Sequence, residues 1–250
     1  MGVVTVLSAK GGCGASLVAT NLALALAHTS PTLLVDLHAH EGTDDLLLDL
    51  HGDHAWPELL PVAAELTDRH IELVASRHAE GLILLAAPSS TPNDLMRDGR
   101  TRGLLDVLST RFTWVVVDAP SGAWTPAYGE ASDMFLLVTT ADPPALRCAR
   151  RLLQSRPPAT QGRLGLVLNQ FGRSQPASAA EVAASLECPL LAAIPVDPRG
   201  VGYQVNFGRA CVLDRQSPVG RAIAQLARRM TVAGTRKPET ASAAAPGSSR

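Results

Sequence analysis

"SAKGGCGAS" (residues 8–16) closes the apolar run "GVVTVLS" (2–8) and opens the apolar segment "ASLVATNLALALAH" (15–28). The first run is short and β-branched. In the second, Leu17, Val18, Leu22, Leu24 and Leu26 spread a broad apolar surface. The pattern predicts strand, Gly-rich turn and buried helix. Such a turn directs consecutive backbone N–H groups at an oxyanion held at the positive end of the helix. Gly11, Gly12 and Gly14 permit the conformation and a close approach, and Ser16 offers a hydroxyl to a divalent cation. The usual phosphate loop reads G-x-x-x-x-G-K-[ST]. Here its last three positions are Gly14, Ala15 and Ser16, so alanine stands where the lysine is expected.

Outward from the loop, further apolar runs alternate with helical patterns. Residues 32–36, 81–87, 112–120, 133–140, 163–170 and 189–195 read as strands. Residues 93–111 (opened by Pro92), 143–155, 178–187 and 218–230 read as helices, and 38–54 as a loop with a short helix. Continuously apolar strands separated by helices predict an α/β fold, a doubly wound, mostly parallel sheet of about seven strands with helices on both faces. Ligands bind such sheets at the carboxyl ends of the strands, where Gly11 to Ser16, Asp36, Asp118 and Asn169 all fall. One domain over 1–232 is expected. The small, polar, Pro-containing stretch 233–250 reads as a disordered tail.

Of 250 residues, 46% are apolar, enough for a sizeable core, and the formal net charge is −1. That balance gives no global field toward nucleic acid or anionic lipid. Cys13, Cys148, Cys188 and Cys211 are scattered without a C-x-x-C pair, which argues against a zinc ribbon or disulfide framework and suits a reducing, cytoplasmic setting. Met1 leads almost directly into a strand with no signal-type segment, and no run is long enough to span a membrane. Lys10 and Lys237 are the only lysines.

"SAKGGCGAS" resembles the deviant phosphate loop K-G-G-x-G-K-[ST] of the MinD/ParA superfamily, whose extra early lysine is matched by Lys10. Further motifs follow in order over residues 2–230. "TLLVDLHAHEGTDDLLLDL" (32–50), "GLILLAAPSS" (81–90), "FTWVVVDAPSG" (112–122), "FLLVTTADPPALRCARRLL" (135–153), "LGLVLNQF" (164–171) and "IPVDPRGV" (194–201) look like the CpaE/TadZ pilus-assembly branch and its septum-site relatives. The resemblance implies a homodimer sandwiching ATP or ADP with Mg2+. Lys10 would reach the partner's phosphates. The loop from Gly11 through Gly12, Cys13, Gly14 and Ala15 to Ser16 would cradle the nucleotide's own phosphates. Ser16 and Asp118 would hold Mg2+. Asn169 would read the adenine edge, and Pro195, Val196 and Asp197 would flank the base. It further implies a localisation or assembly factor for a Flp-type pilus or secretion system, sited at a cell pole or septum.

Two departures bear on catalysis. Ala15 removes the lysine that neutralises charge between the β- and γ-phosphates, and His38 replaces an aspartate, two residues after Asp36, that helps position the attacking water. Losing one such electrostatic contact reduces rate on the order of 10²–10³-fold. Nucleotide binding with weak or no hydrolysis is therefore expected, and Asp36 is the one candidate catalytic residue. Other readings stay open. One is an active ATPase positioning DNA or the septum, with Arg147, Arg150, Arg151, Arg221, Arg228 and Arg229 as its basic groups. Another is a constitutive scaffold without nucleotide. A third is membrane-surface contact through the 218–230 stripe of Val219, Ile223, Leu226 and Met230. A fourth is metal binding by His38, His40, His51 and His54 with Glu41, Asp44 and Asp45.

Overall fold

The computed structural model describes residues 2–38, 42–89, 95, 99–122, 124–172 and 175–234, the side chains of 233 and 234 excepted. Strands β1 (Gly2–Ser8), β2 (Thr32–Asp36), β3 (Ser76–Arg77), β4 (Ile83–Leu85), β5 (Trp114–Asp118), β6 (Met134–Thr139), β7 (Leu164–Leu168) and β8 (Leu190–Ala193) form one sheet in the order β3-β4-β2-β5-β1-β6-β7-β8. All pairings are parallel except β3 with β4. The helices are α1 (Ala15–Ala27), α2 (Asp44–Leu47), α3 (Asp68–Val74), α4 (Gly99–Ser109), α5 (Pro126–Gly129), α6 (Pro143–Gln154), α7 (Ala179–Ser185), α8 (Pro198–Phe207) and α9 (Pro218–Gly234).

Alternate strand residues feed two cores, which is why the strands read as unbroken apolar runs. On one face Val3, Leu7, Val115, Val117, Phe135 and Leu137 pack with Leu104 and Leu108 of α4, Leu152 of α6 and Val182 of α7. On the other, Val4, Val6, Leu34, Val116, Leu136 and Val138 pack under α1 and α9. The polar stretch after β2 and the 3-10 segment Trp56–Glu65 carry the chain back to β3.

The sheet has eight strands where seven were expected. The extra one, β3, is two residues long and borders β4. At the other margin, Arg229 of α9 donates to the Leu191 carbonyl of β8 at 3.1 Å. The helix expected over 93–111 begins at Gly99 among the described residues; Pro92 lies outside them. A helix follows Pro195–Asp197 that the sequence pattern did not announce: α8 starts at Pro198, with the Asp197 Oδ1 capping the Gly200 N–H at 2.9 Å. The last helix runs to Gly234, past the expected boundary at 232, and the tail from 235 lies outside the described residues. Val219, Ile223, Leu226 and Met230 of that helix are buried, packed with α1 and the sheet. The stripe read as a candidate membrane face is thus a core face. No helix of the described residues is long and apolar enough to cross a membrane.

Candidate functional site

The loop after β1 turns through two left-handed glycines, Gly12 at φ +82° and Gly14 at φ +84°, before α1 begins at Ala15. Gly14 answers a second constraint. A Cβ built there would lie 2.4 Å from Asn169 Nδ2, and that Nδ2 donates to the Cys13 carbonyl at 2.8 Å. Asn169, at the end of β7, therefore clamps the loop. Cys13 itself is buried under it.

A cleft of about 860 Å3 opens over this turn. Gly11, Gly12, Gly14, Ala15 and Ser16 line it from the loop, His38 from the segment after β2, and Asn169, Pro195, Val196 and Asp197 from the far strands. Nearly all residues expected to hold a nucleotide thus meet in one cavity at the carboxyl end of the sheet, where an α/β fold binds ligands. Lys10 stands apart from the cleft wall, its Nζ donating to the Gly11 carbonyl at 3.2 Å. Val196 is half exposed at the rim, whereas Asp197 is spent structurally, accepting from Gly200 and, through Oδ2, from Ser217 Oγ at 2.5 Å.

Below the cleft lies a buried acidic group. Asp36 and Asp118 end adjacent strands in direct register. His38 Nδ1 lies 2.9 Å from Asp36 Oδ1 and 3.5 Å from Asp118 Oδ2. The His38 N–H also donates to Asp36 Oδ1 at 3.0 Å, which fixes the backbone two residues past the strand. Asp44, opening α2, is fully buried, and neither its carboxylate oxygens nor those of Asp118 have a hydrogen-bond partner. Burial pushes the Asp118 carboxyl up to about 7, opposed by the imidazole of His38 and reinforced by the charge of Asp36. Burial likewise holds Asp44 well above the usual carboxylate range, with Asp118 and Asp36 adding to the rise.

The wider histidine cluster is not brought together. His51 is exposed, and His54 pairs with Glu58 at 2.8 Å, while His40 and Glu41 lie outside the described residues. Among the described residues, the metal-capable group is Asp36, His38 and Asp118. Spacing along the chain could not show this, because strand register joins residues 82 positions apart. The basic groups are partly committed as well. Arg150 donates to the Ser185 carbonyl, Arg221 to those of Arg215 and Gln216, and Arg229 to Leu191.

No protein-family model matches the chain. Curated relatives do. The septum site-determining protein MinD of Synechocystis is 26% identical over 239 residues, covering 91% of this chain and 88% of that protein. A putative septum site-determining protein MinD of Guillardia theta is 27% identical, covering 85% and 81%. Among solved structures, a ParA family ATPase from Chlorobium tepidum superposes with a TM-score of 0.81 at 21% identity, over 91% of this chain and 98% of that one. MinD from Pyrococcus horikoshii, complexed with Mg-ADP, superposes at 0.75 with 20% identity, over 95% and 99%. The structural likeness establishes the fold, and the curated relatives span nearly all of the sequence that builds it. With its glycine turn, paired strand-end aspartates and eight-stranded sheet, the chain has the fold of the MinD/ParA P-loop ATPases and is similar to MinD proteins over most of its length.

Proposed function

We propose that this protein is a nucleotide-binding positioning switch of the MinD/ParA type in which hydrolysis is slow or lost. One observation carries the reading: the phosphate turn is built and opens on a large cleft, yet Ala15 contributes only a methyl group to its wall. The chain's own residues suit Mg2+-nucleotide. Asp118 offers two buried carboxylate oxygens that accept no hydrogen bond, and Ser16 offers a hydroxyl at the cleft wall. Bound there, Mg2+ would neutralise phosphate charge. The loop amides and Ser16 would orient the phosphates, and Val196 with Pro195 would cover the base. The missing ammonium of a loop lysine and the imidazole at 38 remove transition-state stabilisation, each on the order of 10²–10³ in rate. Binding depends on the backbone cradle, which both departures leave in place.

Such a switch changes its dimer population and its affinity for a partner with nucleotide occupancy. Relatives named for septum-site determination support a positioning role at the septum or pole. The motifs at 32–50 and 135–153 support the narrower reading of a CpaE/TadZ-like factor that recruits a pilus or secretion assembly.

The test is calorimetric titration of tag-free protein with ATP and Mg2+, with phosphate release and light scattering alongside and Ala15→Lys in parallel. Micromolar binding without phosphate release, and a larger species with ATP, is the expected result. Turnover matching that of a lysine-bearing relative would overturn the reading. Binding by Ala15→Lys alone would replace it with a constitutive scaffold.

A further inference from the structure

We propose that Asp36, His38 and Asp118 form a site for a divalent transition metal of the Zn2+ class, complete without nucleotide and selective against Mg2+. The site goes beyond the nucleotide reading, since it needs no phosphate oxygen.

Geometry comes first. One ligand atom from each residue lies within 4.8 Å of the others, and the imidazole nitrogen sits 2.9 and 3.5 Å from the two carboxylates. Zinc bonds of about 2.0–2.2 Å to nitrogen and oxygen place neighbouring ligand atoms roughly 3.0–3.5 Å apart in a tetrahedral shell. Both contacts of the imidazole nitrogen already stand near that spacing. A simple His38–Asp36 hydrogen bond would account for the shorter contact alone. It leaves both Asp118 oxygens, fully buried, without a hydrogen-bond partner.

Charge is the second argument. Asp36, Asp44 and Asp118 are buried together, and among the described residues the only ion pairs to any of them come from His38. Buried carboxylates are ordinarily paired or bound to metal, because desolvation without compensation is costly. A divalent cation among them would offset the cost of burying these carboxyl groups, which one imidazole beside two of them does not.

The third argument is ligand chemistry. Carboxylates alone suit Mg2+, Ca2+ or Mn2+, whereas an imidazole nitrogen favours Zn2+ and its neighbours. The His38 side chain is 18% exposed and lines the cleft, so a further coordination position faces the cavity. This is the position where the resemblance expects aspartate, and the exchange replaces an oxygen ligand by nitrogen.

The experiment uses tag-free, chelator-stripped, nucleotide-free protein titrated with Co2+, followed by its visible absorption and by calorimetry. Expected is one saturable equivalent at micromolar affinity, displaced by Zn2+ and indifferent to millimolar Mg2+. His38→Asp should weaken Co2+ at least about tenfold, as removal of even a supporting group around a metal commonly does. His54→Ala should leave binding unchanged. Should His38→Asp lower the melting temperature enough to confuse the comparison, His38→Gln serves the same purpose. No saturable uptake, uptake equal in the His38 variants, or loss in His54→Ala would each overturn the site. An ATP titration on the same preparation separates the two proposals: Co2+ failure with intact ATP binding removes only the metal site, and the converse removes only the nucleotide reading.

Discussion

Two buried polar clusters adjoin the P-loop helix and its neighbouring strands, and they are finished in opposite ways. Asn21 of α1 and Gln204 of α8 use every hydrogen-bonding group they have. Asn21 Nδ2 donates to the Leu17 carbonyl and to Gln204 Oε1, each at 2.7 Å, and its Oδ1 accepts from the Val212 N–H. Gln204 Nε2 donates to Thr20 Oγ1 and the Leu47 carbonyl, and its Oε1 also accepts from the Cys211 N–H. Asp44 and Asp118, equally buried, leave all four carboxylate oxygens without a hydrogen bond. A closed neutral network holds elements in place. An open cluster of buried carboxyl groups costs stability instead.

Breaking the closed cluster should have the larger effect. Gln204→Ala strips partners from Asn21, Thr20, Leu47 and Cys211 and leaves a cavity between α1, α2 and α8. We expect a stability loss of about 4 kcal/mol in chemical denaturation. A loss below about 1 kcal/mol would show that the network is not carrying those contacts.

The open cluster should respond with the opposite sign. In metal-free, nucleotide-free protein at neutral pH, Asp44→Asn removes the cost of burying an ionisable carboxyl group and should stabilise by about 1–3 kcal/mol. The pH dependence sharpens this. Asp118, raised to about 7, keeps its proton in the folded chain while the unfolded chain has lost it above about pH 4. Unfolding then releases protons, so stability is greatest at the acid side of that window and falls as pH rises through it, levelling near 7. Melting temperatures across that range should show this fall in the wild type and a shallower one in Asp118→Asn. An identical slope in both would dissociate the carboxylate from it.

Gly14→Ala should cost less stability than Gln204→Ala, about 2 kcal/mol. It combines a left-handed backbone now carrying a Cβ with ejection of the Asn169 amide from the Cys13 carbonyl. Its loss of ATP affinity in calorimetry should exceed what that destabilisation explains, because Asn169 clamps the turn that forms the site.

The sheet and phosphate turn were legible because unbroken apolar runs and spaced glycines report directly on backbone and burial. β3 escaped because Ser76 and Arg77 carry no apolar pattern. α8 escaped because "PRGVGYQVNF" has two glycines and little apolar period; its signal was Asp197 followed by Pro198, an N-cap and a first-turn proline. Asp44 lies in the polar stretch 38–54, and nothing local distinguishes it from Asp45. Only the fold buries one and leaves the other partly exposed. His38 drew attention as a missing aspartate, but its contact with Asp118 depends on β2 and β5 being neighbours.

The margins of the sheet bear on how copies of this chain can meet. An exposed strand edge is a template onto which another chain can add a strand, the first step toward uncontrolled aggregation. Here one border is the two-residue β3, and at the other the Leu191 carbonyl is already occupied by Arg229, with Pro189 and Pro195 bracketing the strand. Neither border offers a long run of free backbone groups. Cross-chain strand pairing is thereby discouraged.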